Sequence, residues 1–163
     1  MAAQPALNRE LTASIIGHAR TQGGERNPSV GGWQSNQDYR KWAGKRDQAM
    51  LGRVAEMVKQ ATQQIHTTYR HDEDHTEWSI AMWSNVYSPG DYHRNHCHPG
   101  STWSGIYFVD PGNPDPNNRQ SGAVALINPN LGAPMSFYRA AIPMRYIIYP
   151  EPGLMAVWPS YIP

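Results

Sequence analysis

The chain between Gly90 and Gly100 reads GDYHRNHCHPG and sets two histidines at His-x-His spacing, at the mouth of a predicted β-hairpin. In an extended strand, residues two apart point to the same face, so His96 and His98 can reach one ion while Cys97 faces the other way. Neutral imidazole suits iron, zinc, copper or nickel. We therefore predict that His96 and His98 bind a metal ion. The alternative is a hydrogen-bonded pair in a polar turn.

The residues around this pair are predicted to have roles other than metal binding. His93 could be a third ligand, a partner that orients a ligand, or a surface residue, and we favour the last two. Because strand alternation turns Cys97 away from the histidine face, we predict a buried, inert thiol there. Pro99-Gly100 would end the ligand strand sharply and hold the two rings at a fixed opening.

Outward from this stretch, the sequence predicts short strands. From residue 78 to residue 87 the hydrophobic period is two, which indicates a strand buried on both faces. Further strands are predicted at residues 103–110, 122–128, 144–149 and 154–158. Several short strands at this spacing favour a sandwich, a jelly roll or a small barrel. The predicted fold class is mainly β with N-terminal helices.

Two helical patterns precede the strands. Leu7, Leu11 and Ile15 recur every four residues, and a second apolar pattern follows helical spacing. The second pattern consists of Met50, Val54, Met57, Val58, Ala61 and Ile65. We interpret both segments as amphipathic support helices.

Two polar stretches are predicted to be loops. Residues 23–35 form a Gly-rich connection that carries Trp33, which could be an aromatic lid over a site but is more simply a packed side chain. Residues 66–77 hold three histidines among acidic residues. We interpret that stretch as a solvated loop, with a second metal site as the minor alternative.

Composition narrows the class of protein. A length of 163 residues suits one domain, with helical support and loops over residues 1–77 and the strands over residues 78–163. A formal net charge of +1 without any Lys/Arg run argues against binding to nucleic acid or to an anionic membrane. No window is apolar enough to span a bilayer. One cysteine and no apolar leader in the first ten residues favour a reducing cytoplasm.

Several short motifs occur in one order along most of the chain. They are Gly31-Gly32-Trp33-Gln34-Ser35, Trp83-Ser84-Asn85-Val86, Gly90-Asp91-Tyr92, His96-Cys97-His98-Pro99-Gly100-Ser101, Ser104-Gly105-Ile106-Tyr107-Phe108-Val109, Pro152-Gly153-Leu154 and Trp158-Pro159-Ser160. Taken together, the set resembles the 2-oxoglutarate and iron(II)-dependent oxygenases of the bacterial and phage type.

The resemblance implies a double-stranded β-helix, the jelly-roll or cupin-like fold, with Fe(II) at its open end and 2-oxoglutarate as cosubstrate. It implies a dioxygenase, expected to be a hydroxylase, in which His96 and His98 are metal ligands. Tyr107 and Ser104 would contact 2-oxoglutarate, although Tyr107 could equally be a core aromatic residue. The sequence leaves open whether the substrate is a small molecule or a protein, and it leaves the oligomeric state open.

Two departures from the family pattern bear on activity. The first ligand pair of such enzymes usually reads His-x-Asp or His-x-Glu, and here His98 takes the place of the carboxylate, so the site lacks one negative charge. The distal histidine and the basic residue for 2-oxoglutarate are expected beyond Pro159-Ser160, and neither occurs before Pro163. We therefore expect a C-terminally incomplete jelly roll, or a degenerate relative, that is at best poorly active.

Two other functions stay open at this point. A non-catalytic β-sandwich binding module would bind its ligand in an aromatic groove. The residues of that groove would be Trp33, Trp83, Trp103 and Tyr92. A three-histidine dioxygenase of the cupin type would use His-x-His without an oxo-acid cosubstrate, and dependence of turnover on 2-oxoglutarate would distinguish it.

Overall fold

Helix α1, Pro5–Thr21, confirms the first helical pattern. It begins at a proline, which suits a first helical turn because the N–H groups there have no partner within the helix. Leu7, Leu11 and Ile15 are all buried, and burying such side chains stabilises a fold by about 1.5–3 kcal/mol each. The computed structural model that shows this helix describes residues 5–25, 29–42, 44, 47–65, 78–130, 132 and 143–163.

Helices α2, Tyr39–Trp42, and α3, Asp47–Ile65, follow. Helix α3 confirms the second helical pattern, with Met50 buried and most of its other apolar residues half-buried along one face. Those half-buried members of the pattern are Val54, Met57, Val58 and Ala61. The acidic and histidine-rich stretch at residues 66–77 lies outside the described residues, as does any metal site there.

Two compact units divide the chain. We call Glu10–Arg94 the N-terminal unit, and Met1–Arg9 together with Asn95–Pro163 the C-terminal unit. Whether the two units form the single domain expected from the sequence stays a prediction.

The N-terminal unit contains two small antiparallel sheets. The strands are β1 (Ser29–Val30), β2 (Trp33–Gln34), β3 (Asn85–Val86) and β4 (Tyr92–His93). Strand β1 pairs with β4, and β2 pairs with β3. Gly31 and Gly32 lie between β1 and β2 with φ angles of 69° and 64°, a backbone region that favours glycine. The predicted loop at residues 23–35 therefore contains two short strands.

The prediction of one strand from residue 78 to residue 87 is wrong, because the strand that forms there is much shorter. Regular pairing is confined to β3, with one isolated bridge from Met82 to Asp38, and Trp78 is 47% exposed. The strand that pairs with β3 is short, because β2 has only two residues. One further backbone hydrogen bond extends this pairing, from the N–H of Ser35 to the carbonyl oxygen of Ser84 at 2.9 Å. An alternating apolar pattern forms a strand only where neighbouring backbone supplies the hydrogen bonds.

The described residues of the C-terminal unit contain four further strands. They are β5 (Trp103–Tyr107), β6 (Val124–Ile127), β7 (Arg145–Ile148) and β8 (Met155–Pro159). All four predicted strands of this region are thus confirmed, each within the range expected from the sequence or one residue beyond it. Strand β5 pairs antiparallel with β8 from Trp103↔Pro159 to Tyr107↔Met155, and β6 pairs antiparallel with β7.

The fold class is mixed rather than mainly β. Helices α1 and α3 are the longest elements, and the strands of the described residues form four two-stranded sheets. Within that part of the chain no barrel or jelly roll closes. No helix among the described residues is both long and apolar enough to cross a membrane.

Candidate metal centre

The imidazole rings of His96 and His98 lie side by side. Their centroids are 4.8 Å apart with an angle of 71° between the ring planes, and both residues are half-buried. The segment from Asn95 to His98 is irregular rather than part of a strand. The rings are nevertheless brought together, as the two-residue spacing predicts for extended backbone.

A tight turn follows the pair. The N–H of Ser101 donates to the carbonyl oxygen of His98 at 3.2 Å, and Gly100 has a φ of 82°. On the other side, the N–H of His98 donates to the carbonyl oxygen of Ser160 at 3.1 Å, just beyond the end of β8. The backbone of His98 is therefore fixed both by its own turn and by the neighbouring chain.

The electrostatics of His98 suit a metal ligand. Burial lowers the pKa of its imidazole below the usual value, and the neighbouring His96 lowers that pKa further. A lowered pKa keeps the ring neutral to lower pH, and a neutral ring has the lone pair that coordination requires.

Cys97 corrects one expectation. The sequence predicted a buried thiol, but the side chain is exposed, and its Sγ donates to the carbonyl oxygen of Tyr161 at 3.3 Å. The prediction failed because the segment runs irregularly at the surface, so the face opposite the histidines meets solvent rather than a core.

His93 lies in the N-terminal unit and takes part in a polar cluster. Its Nε2 lies 2.7 Å from Oγ of Ser29 and 3.3 Å from Oε1 of Gln34, and the ring of Tyr87 meets its own ring edge-on at 5.4 Å. Burial raises the pKa of the Tyr87 phenol, the hydrogen bond to Ser29 opposes that rise, and the charge of Asp91 adds to it. These contacts give His93 a structural role within its own unit.

The oxygenases that this sequence resembles hold iron with three protein ligands, and the structure brings two candidate ligands together. Among the described residues, no group of three His, Cys, Asp or Glu side chains is placed to hold a metal ion. The imidazoles of His96 and His98 are the donors that the structure brings together. They would supply two of the positions in the two-histidine, one-carboxylate arrangement that such oxygenases use.

The phenol of Tyr107 is engaged with helix α1. It donates to Oδ1 of Asn8 at 2.5 Å, while Nδ2 of Asn8 donates to the carbonyl oxygen of Val109 at 2.7 Å. Sequence reasoning missed Asn8, since nothing in a helical segment marks a polar residue that will meet a strand far along the chain.

Ser104 lies on the opposite face of β5 from Tyr107. The register of β5 with β8 is continuous, so residues three apart point to opposite faces. The Oγ of Ser104 is buried and, within the described part of the chain, has no hydrogen-bond partner. A buried hydroxyl in that state costs free energy unless something accepts its hydrogen.

Trp33 packs within the N-terminal unit. Its Nε1 donates to the carbonyl oxygen of Gln22 at 3.0 Å, and its ring meets that of His18 edge-on at 5.9 Å. These contacts agree with the packed side chain rather than with the lid. The other residues of the suggested aromatic groove are divided between the units, with Trp83 and Tyr92 in the N-terminal unit and Trp103 in the C-terminal unit.

Comparison with known proteins identifies the family. Residues 81–163 match the family described as "Putative 2OG-Fe(II) oxygenase", and this segment contains β3 to β8 and the histidine pair. Comparisons with curated proteins and with solved structures give no match. Since the matched segment covers half of the sequence, the chain belongs to this 2OG-Fe(II) oxygenase family.

Proposed function

We propose that this chain is an Fe(II)- and 2-oxoglutarate-dependent dioxygenase, a hydroxylase of low activity at best, in which His96 and His98 bind the iron. The observation that carries the proposal is the arrangement of the two rings, 4.8 Å apart on a segment held by backbone hydrogen bonds and inside the family-matched region. We place this activity on the double-stranded β-helix that the family implies. When bound, Fe(II) with 2-oxoglutarate supplies the oxidising power for hydroxylating a C–H bond.

For the cosubstrate, we propose Ser104 and Tyr107 as alternative contacts. Because the two side chains lie on opposite faces of β5, one small molecule on one face meets only one of them. Ser104 has a buried hydroxyl whose hydrogen has no acceptor within the described residues. Tyr107 would first have to release Asn8. The carboxylate contact is therefore simpler for Ser104.

The exposed thiol of Cys97 bears on the compartment. It stands between the two proposed ligands and is not part of a disulfide. A free, exposed thiol next to a ferrous site survives best where thiols are kept reduced. We therefore include a reducing cytoplasm in the proposal.

Anaerobic titration with Fe(II), with and without 2-oxoglutarate, tests the proposal directly. The expected result is one equivalent of iron bound and, with 2-oxoglutarate, a weak visible metal-to-ligand charge-transfer band. His96→Ala and His98→Ala should each abolish iron uptake. His93→Ala is the matched control, because the hydrogen bonds of that histidine with Ser29 and Gln34 lie in the other unit.

Three results would contradict parts of this proposal. Unchanged iron binding in both His96→Ala and His98→Ala would remove the ligand assignment. Loss of iron binding in His93→Ala would make that residue a ligand. No iron binding in the unaltered protein would favour the non-catalytic binding module.

The nature of the donor pair supports a second candidate function. Two imidazoles that lie side by side are also the beginning of an all-histidine centre. A metal dioxygenase of that kind would bind iron but would show no charge-transfer band with 2-oxoglutarate. Its turnover would be independent of that cosubstrate.

A further inference from the structure

Ser160 makes hydrogen bonds to both arms of the turn that presents the histidine pair. Its carbonyl oxygen accepts from the N–H of His98 at 3.1 Å, before the turn, and its own N–H donates to the carbonyl oxygen of Thr102 at 3.1 Å, after it. Its side-chain Oγ donates to the carbonyl oxygen of Ser101. Ser160 is 5% exposed, so these bonds are shielded from competition with water.

Within the turn, one backbone hydrogen bond joins the two arms. Pro99 has no N–H to donate, and an added Cβ at Gly100 would meet nothing within 4 Å, so the tip of the turn stands in open space. One backbone hydrogen bond, from Ser101 to His98, closes the turn from within. The spacing of the two arms therefore depends both on this turn and on the contacts that hold the arms from outside.

We infer that Ser160 is a positioning residue that fixes the His96–His98 segment in its metal-binding geometry. The inference rests on the proposed function, because it concerns the same two ligands. Two of the three hydrogen bonds use the backbone of Ser160 and persist after a side-chain substitution. The hydroxyl is the part that mutation can remove, and its bond ties Ser101 to the strand end that also holds His98.

Ser160→Ala should show whether Ser160 positions the His96–His98 segment or only contributes to the stability of the fold. In the metal-free protein, we expect the nuclear Overhauser contact between the rings of His96 and His98 to weaken, because the ring spacing of 4.8 Å is no longer held. Fe(II) affinity, measured anaerobically, should fall by about 10-fold or more, the usual effect of losing a group that orients a metal ligand. Ser160→Thr keeps the hydroxyl and should restore both the ring contact and the iron affinity.

Ser35→Ala is the matched control. Ser35 is also buried, at 1% exposed, and its hydroxyl donates to the carbonyl oxygen of Asn36 at 2.9 Å, but it lies in the N-terminal unit. We expect it to lower the unfolding temperature without changing the ring contact or the iron affinity. If Ser160→Ala does not fold, Ser160→Cys in the presence of reductant takes its place, because a thiol fills the space of the hydroxyl and is a weak donor.

Two outcomes would overturn the inference. One is a Ser160→Ala or Ser160→Cys protein with the ring contact and iron affinity of the unaltered chain. The other is an equal loss in Ser35→Ala, which would reduce the effect to general destabilisation. If the unaltered protein bound no iron, the proposed function would fail, while the ring contact in the metal-free protein would still decide the role of Ser160.

Discussion

The phenol of Tyr107 donates its hydrogen to Oδ1 of Asn8, a residue 99 positions away in sequence. The amide orientation of Asn8 is fixed, since its Nδ2 donates to the carbonyl oxygen of Val109 at 2.7 Å. A phenol has one hydrogen to donate, and this one is committed to helix α1. A carboxylate could receive it only by displacing Asn8.

Tyr107→Phe should therefore act mainly on stability. The change leaves Oδ1 of Asn8, a residue 7% exposed, without its donor. An unsatisfied buried acceptor costs about 1–3 kcal/mol, so we expect the free energy of unfolding in urea to fall by that amount. Tyr146→Phe is the control, because Tyr146 is 64% exposed and should change stability by less than about 0.5 kcal/mol. Equal effects of the two substitutions would contradict the structural role of Tyr107.

Ser104→Ala, unlike Tyr107→Phe, should leave stability intact and act on the binding of 2-oxoglutarate. Its hydroxyl is buried and unpaired within the described residues, so removing it should leave the free energy of unfolding unchanged or slightly higher. If this hydroxyl donates to a carboxylate of 2-oxoglutarate, its loss should weaken cosubstrate binding by about 1.5–3 kcal/mol, or roughly 10- to 100-fold in Kd. Calorimetric titration of the iron-loaded protein measures this. Weaker binding in Tyr107→Phe and not in Ser104→Ala would assign the cosubstrate to the other face of β5.

The pKa of His98 predicts a dependence of stability on pH. Burial and then His96 lower this pKa in the folded protein below its unfolded value. As pH falls below about 6.5, the unfolded chain takes up a proton on His98 before the folded chain does, so the protein loses stability on acidification. Above that pH both states are neutral at this residue, and the effect disappears.

His98→Gln should reduce this loss of stability between neutral and mildly acid pH, measured by urea unfolding of the metal-free protein. By nuclear magnetic resonance, His98 should titrate below its ordinary pKa. His96→Gln should raise that pKa part of the way back, because the repulsion from a second imidazolium is gone while burial remains. A pKa of His98 above the ordinary value would contradict this assignment.

Local patterns in the sequence predicted helices α1 and α3, strands β5 to β8 and the nearness of His96 to His98. Leu7, Leu11 and Ile15 recur at a spacing that only a helix turns to one side, and they are buried together. The alternating apolar pattern that begins at Trp78 does not show that the neighbouring strand, β2, has only two residues. It therefore predicted a longer strand than β3. A periodic pattern reports which side of an element is apolar, not how much backbone lies beside it.

Contacts between distant residues could not be predicted in the same way. Asn8 meets Tyr107, and nothing in the sequence near Asn8 marks that contact. Ser160 belongs to the Trp158-Pro159-Ser160 motif, but the motif does not reveal that this serine bonds to the turn after His98. The hydroxyl of Ser160 matters because β8 ends beside the start of β5, which is a matter of strand register. The two histidines could be found from their spacing, whereas the residue that holds them in place could not.

Gly100→Ala should disturb the pair through backbone conformation alone. An added Cβ at Gly100 meets no atom within 4 Å, so there is no steric clash, but the φ of 82° is unfavourable for alanine by about 1–2 kcal/mol. We expect lower stability, a weaker ring contact between His96 and His98, and weaker Fe(II) binding. Gly52→Ala is the control, because Gly52 has the same open space but lies within helix α3, where alanine should stabilise by about 0.5–1 kcal/mol. A Gly100→Ala protein as stable as the original and with unchanged iron affinity would show that the turn is not what sets the spacing of the two rings.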